Sequence, residues 1–221
     1  MSGLTFDATV HRYTLDDVVV PSVTQILKAS GLIDFSGIPE SILEAARVRG
    51  TTVHQAIHFL NEGDLDFDQF RADFPAYVGY VEAWLSFVSQ RNFLPVLNEH
   101  RIASRRHQIA GTFDTIGLLD GHCALVDYAT GRPEDVSKDL QTAGYLGLAL
   151  EWAEEPDADP RLRQVLQQCP VIKRYAVALR KDGTFQFCPY SDPTDFRKFL
   201  TLVEAQHIVR TRHVDRREVT A

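Results

Sequence analysis

Asp120-Gly121, set between the apolar runs 108–119 and 122–128, constrains this chain more than any other dipeptide in it. Asp-Gly in that setting marks a two-residue type I′ turn, whose central residues take positive φ and whose twist suits the flanking strands. With those two residues as the loop, Leu119 faces His122, and the same register carried along both strands sets Asp114 opposite Asp127. That position is a non-hydrogen-bonded pair, so the Cβ atoms are expected about 4.5–5.5 Å apart on one face. Two carboxylates held so close repel, and either a shared proton or a hard divalent cation relieves them. Mg²⁺ suits the second remedy, because it takes one or two carboxylates and keeps its other positions for water and phosphate. A longer turn would instead leave one aspartate in solvent.

The remaining elements follow from periodicity and punctuation. Residues 9–20 alternate and stop at Pro21, as a short hairpin or extended arm, and 22–29 form a helical turn closed by Gly31. Ser41 and Glu44 have capping-box spacing after Pro39, which predicts a helix from there to about Leu60. Residues 61–73 read as acidic loop, and 75–90 repeat Tyr77, Val81, Trp84, Leu85 and Val88 at helical spacing. Strands over 95–104, 108–119 and 122–128 precede a helix over 138–152 capped by Ser137 and a charged loop over 154–160. A hairpin of 171–179 and 184–188 crosses Lys181-Asp182-Gly183 and ends at Pro189; a last helix covers 193–210. The order predicts a mixed α/β (α+β) fold, a central mixed sheet flanked by helices. The 221 residues read as one domain, with a core of about 41–190, an arm over 1–40 and a C-terminal helix and tail over 193–221.

Composition narrows the class. With 44% hydrophobic and 24% charged residues the chain resembles a soluble globular protein. No apolar run approaches the roughly 20 residues of a membrane helix, and the first ten residues lack a secretory pattern. Cys123, Cys169 and Cys188 are odd in number and far apart, so no disulfide framework is expected and a reducing cytoplasm fits. A net charge of −7, taken alone, argues weakly against a nucleic-acid partner, because phosphate binding is driven by Lys and Arg. Basic residues nevertheless gather at Arg47/Arg49, at Arg101/Arg105/Arg106/His107, at Lys173/Arg174 and over 210–217, and an acidic metal site lowers the total without removing a local basic groove.

Gly111-Thr112-Phe113-Asp114, followed after the turn by Leu125-Val126-Asp127-Tyr128-Ala129-Thr130-Gly131, resembles the PD-(D/E)XK nucleases. The similarity is to their RecB-like branch, whose second motif usually reads Asp-Tyr-Lys-Thr-Gly. Gly50-Thr51-Thr52-Val53-His54 resembles the upstream histidine motif of that branch, and Gln141 with Tyr145 resembles its Gln-x-x-x-Tyr motif. Pro21-Ser22-Val23-Thr24 looks like small phage-type members, so the resemblance spans about 21–145.

The resemblance implies a restriction-endonuclease-like αβββαβ core and hydrolysis of DNA phosphodiesters by one or two Mg²⁺ or Mn²⁺ ions with an activated water. Small members of this kind are exonucleases acting on DNA ends in recombination or repair. Asp114, Asp127, the Tyr128 carbonyl and His54 would hold metal, with Glu99 as an outer acidic residue positioning a second ion or its water. Arg47, Arg49, Thr130, Gln141 and Tyr145 would meet DNA, the last two facing its backbone or bracing the centre. His58, one turn beyond His54, reads as structural; a zinc hydrolase using His54, His58 and a carboxylate is a rival reading. Three scattered cysteines exclude the iron–sulfur subgroup. Partners would be DNA, as duplex ends or single strands, with a homo-oligomer or a recombination protein compatible, in the cytoplasm of a bacterium or phage-infected host.

Ala129 stands where the branch carries its catalytic lysine. Since the surrounding motif residues are intact, a deliberate lysine-to-alanine replacement, giving an inactivated nuclease, is favoured over decay. The alternative is a naturally inactive nuclease fold that binds DNA or docks a protein. Lys138, at a helix start, is the one nearby lysine that could substitute.

Overall fold

A computed structural model describes residues 3–33, 36–131 and 137–218, with side chains followed to residue 209. The chain opens with β1 (Leu4–Asp7), β2 (Arg12–Leu15) and β3 (Val18–Val20), an antiparallel three-stranded meander. Helices α1 (Val23–Ala29), α2 (Glu40–Glu62), α3 (Phe67–Asp73) and α4 (Val78–Gln90) follow. Strands β4 (Phe93–Ser104), β5 (Ile109–Leu119) and β6 (His122–Ala129) lead to helices α5 (Lys138–Ala153) and α6 (Pro160–Gln168). Strands β7 (Lys173–Leu179) and β8 (Phe185–Tyr190) and helix α7 (Asp195–Glu218) complete it.

The central sheet has the order β4-β5-β6-β7-β8, antiparallel except for β6 beside β7. A parallel pair needs a crossover, and α5 with α6 supplies it. Both faces are covered, so alternate strand residues enter different cores. Leu125 packs in one core with Ile26, Leu148, Leu162 and Phe199 from α1, α5, α6 and α7. Its neighbours Ala124 and Val126 face the other, with Val53 and Ile57 of α2 and Trp84 and Phe87 of α4. The mixed α/β architecture expected from the element order is the one observed.

The N-terminal segment read as an arm is part of this packing. Tyr13, Leu15, Val20, Val23 and Leu27 join the first core. The Tyr13 hydroxyl meets Thr112 Oγ1 at 2.7 Å, and Arg105 reaches Asp16 and Asp157 while its guanidinium lies over Trp152. Arg105 is thereby committed to holding the meander against the α5–α6 junction, and buried Arg174 is likewise committed, to Asp195 and to the carbonyls of Asp139 and Asp192. Neither is available to phosphate.

Several local expectations need correction. The capping box is at Ser22 and Gln25, where each side chain bonds the other's backbone N–H; α2 starts at Glu40 behind Pro39, leaving Ser41 inside the helix. Ser137 has helical backbone angles, so its hydroxyl makes no cap bond. The acidic loop 61–73 contains α3, capped by Asp66, and α6 arises where Asp159 caps a helix with Pro160 in its first turn. Strand β8 runs through Pro189 because it is an edge strand, where a missing N–H breaks no ladder bond. Cys123 on β6 and Cys169 at the end of α6 form a disulfide, against the expectation of none. The packing of α6 beside the sheet brings together two cysteines 46 residues apart. Among the described residues no helix is long and apolar enough to cross a membrane.

Candidate metal centre

The Asp120-Gly121 turn takes the conformation its chemistry demands, with φ of 48° and 78°, and Leu119 pairs with His122. The ladder then runs to Thr115 opposite Val126. The pairing stops there, one step short of Asp114 and Asp127, and the Tyr128 N–H donates instead to Asp114 Oδ2 at 2.8 Å. On the other flank Asn98 pairs with Thr115 and His100 with Phe113, which brackets Glu99 opposite Asp114. Three neighbouring strands therefore carry Glu99, Asp114 and Asp127 at one level of the sheet. Glu99 has φ of 45°, a left-handed conformation that is uncommon for a non-glycine residue inside a strand. Such backbone strain concentrates at functional sites.

Helix α2 brings His54 to this level. Its Nδ1 lies 3.3 Å from Glu99 Oε1 and 3.5 Å from Asp114 Oδ1, and its ring packs on Tyr128 at 4.6 Å between centroids. Tyr128 also donates its hydroxyl to Glu99 Oε1 at 3.3 Å. His54, Glu99 and Asp114 each offer a ligand atom within 4.8 Å of the others. The inner trio thus contains Glu99, which the sequence placed as an outer residue, while Asp127 lies outside it.

Asp127 is engaged from the opposite side. Lys138, the first residue of α5, places Nζ 2.5 Å from Asp127 Oδ2, with the lysine side chain 13% and the aspartate 3% exposed. Ala129 closes β6 opposite Ala178 of β7, two residues beyond Asp127.

Charge and burial oppose each other here. Burial pushes the Asp114 carboxyl well above its usual range; the His54 charge pulls it down, while Asp127 and Glu99 push it up. Burial disfavours a charged His54, but Asp114, Glu99 and Asp127 outweigh it and raise the imidazole to about 9. Tyr128 is raised by burial and then by the same carboxylates.

The other expected residues separate. Arg49 Nε donates to Thr130 Oγ1 at 3.0 Å, and its guanidinium lies 5.8 Å from the Tyr80 ring centre. Arg47 lines the same groove as His54 but is paired with Glu40 and Glu44. Gln141 donates to the Tyr145 hydroxyl at 3.2 Å, and that hydroxyl lies 3.4 Å from Thr24 Oγ1. Tyr145 is only 6% exposed, so of its two expected roles DNA contact is closed to it and bracing between α1 and α5 remains. His58 is outside the trio, and its buried Nδ1 lacks a hydrogen-bond partner among the described residues. The one sequence signal for Lys138 is its place at a helix start after the Asp127 strand, and the structure brings it to Asp127. No protein-family model matches the chain, and no curated protein matches it.

Proposed function

We propose that this chain is a metal-dependent deoxyribonuclease of the PD-(D/E)XK, RecB-like type, acting on DNA ends and using Lys138 as the cation that position 129 lacks. The observation that carries this reading is the Lys138–Asp127 contact beside the His54–Glu99–Asp114 trio. The donor set fits Mg²⁺ or Mn²⁺: two carboxylates and an imidazole converge, and the repulsion that raises Asp114 is the kind a divalent cation removes. The ion would be held by His54, Asp114 and Glu99, with Asp127 reaching it on exchange of its lysine partner. When bound it supplies positive charge at the phosphate and activates water.

The chain's own residues do the rest. Lys138 balances charge on the phosphate as it gains a fifth oxygen, and it holds a proton within reach of Asp127. Tyr128 fixes Asp114 through its N–H and Glu99 through its hydroxyl, so two ligands are pre-oriented by one residue. With Lys138 in this role, an inactivated form is no longer the favoured reading of Ala129.

Ala129 itself favours a second reading, a nuclease fold retained for docking DNA or protein. Incubation of the unmodified chain with end-labelled DNA and Mn²⁺ separates the two. Cutting that vanishes with chelator and in Asp114→Asn supports the enzyme. Tight Mn²⁺ binding without cutting, unchanged by Ala129→Lys, supports the docking protein.

A further inference from the structure

A groove of about 730 Å³ lies over the trio, with His54 and Glu99 in its lining. Helix α2 forms one wall. The other is built by the meander, from planar side chains arranged in a tier. Tyr13, 3% exposed, is the base of the tier and is tied to β5 through Thr112. The Phe6 ring lies 4.5 Å from it at a 35° tilt, and the guanidinium carbon of Arg101 lies 5.4 Å from the Phe6 centre. His11, at the β1–β2 turn with φ of 48°, sets its ring edge-on to Phe6 at 5.2 Å.

Arg101 differs from the other arginines of this region. Arg47 and Arg105 are paired with carboxylates, whereas Arg101 is exposed and makes no ion pair or hydrogen bond among the described residues. A planar cation with no acidic partner among the described residues, lying on an aromatic ring in a groove that Glu99 also lines, offers a flat face and a phosphate-binding charge together. Opposite it, a Cβ added to Gly50 would meet nothing within 4 Å, so the α2 wall leaves room.

We propose that the Phe6–His11–Arg101 wall stacks an unpaired base, so that the strand reaching the metal centre is single-stranded. The proposal rests on the nuclease reading and names its substrate class. Bases in a duplex are stacked on one another and hide their faces, whereas an unpaired base stacks readily on aromatic rings or on a guanidinium plane. The groove volume is that of a small-ligand site, which suits individual nucleotides. The wall offers faces and charge, so recognition is tolerant of sequence.

Fluorescence anisotropy with a short labelled oligothymidylate and a blunt hairpin duplex, both with Ca²⁺ in place of Mg²⁺, tests this. The single strand is expected to bind more tightly than the duplex. Phe6→Leu and Arg101→Lys are each expected to weaken strand binding by about tenfold, while Phe6→Tyr retains it. His11→Ala, at an exposed turn outside the core, gives the same loss without risk to folding. Equal binding by Arg101→Lys, Phe6→Leu and His11→Ala, or tighter binding of the duplex, would overturn the proposal. Wall-dependent strand binding in a chain that takes no Mn²⁺ would support the wall and sink the nuclease reading, so the two failures are distinct.

Discussion

Lys138 Nζ lies 2.5 Å from Asp127 Oδ2, joining the first residue of α5 to the strand that ends at Ala129. A cation delivered from a helix thus meets an aspartate on a neighbouring strand. Both side chains are largely withdrawn from water, so the pair is little screened and each partner leaves the other stranded if removed. That coupling ties the position of α5 to the C-terminal end of β6.

Metal affinity is expected to depend on the trio. Asp114→Asn should weaken Mn²⁺ binding on the order of 100-fold, and Glu99→Gln by about tenfold or more, since each removes a charged donor. Calorimetric titration measures both. Unchanged affinity in Glu99→Gln would return Glu99 to an outer role.

Stability should depend on pH in a defined direction. The folded pKa of His54, about 9, exceeds its ordinary 6.5, and that of Asp114 is raised as well. Both groups bind protons more tightly when folded, so their contribution is complete at low pH and is lost as pH rises. For His54 the loss falls between about 6.5 and 9. Thermal melts in chelator should therefore decline across that window. The increment conferred by Mg²⁺ should grow across it, because the ion displaces the His54 proton. A pH-independent Mg²⁺ increment would contradict this.

Reduction should destabilise the fold. The Cys123–Cys169 bond closes a loop across 46 residues, worth about 4 kcal/mol in unfolded-chain entropy. Denaturant unfolding with and without reductant, and of the Cys123→Ser/Cys169→Ser double variant, should show that difference. Coincident curves would mean the bond adds nothing.

Asp195→Ala should cost about 3–5 kcal/mol, because it strands the buried Arg174 guanidinium. Arg174 also holds the Asp139 carbonyl, next to Lys138, so residual activity should fall further than stability alone explains. Asp195→Asn, which retains an acceptor, should recover part of both in unfolding and cleavage assays.

What was legible in the sequence follows the range of the physics involved. The Asp120-Gly121 turn acts locally, and its register carries as far as Thr115–Val126, one step short of the expected Asp114–Asp127 pair. The closeness of Glu99 to His54 was not legible, because its left-handed backbone depends on both neighbouring strands and nothing in Asn98-Glu99-His100 announces it. The disulfide was missed because only the docking of α6 brings Cys169 to Cys123. The start of α6 is legible in Asp159-Pro160, and the capping box is legible in Ser22 and Gln25, a spacing that Ser41 and Glu44 share without forming one. Whether Tyr145 faces outward or inward is not legible in its Gln-x-x-x-Tyr spacing, because it turns on α1 covering it.

The rate of Mn²⁺-dependent cleavage of end-labelled single-stranded DNA, compared between the unmodified chain and Lys138→Ala, tests the central claim most directly. The account predicts cutting by the unmodified chain and a fall on the order of 100-fold or more in the variant, with Mn²⁺ still bound. Cutting that survives loss of Lys138, or no cutting by an unmodified chain that binds Mn²⁺, would contradict it.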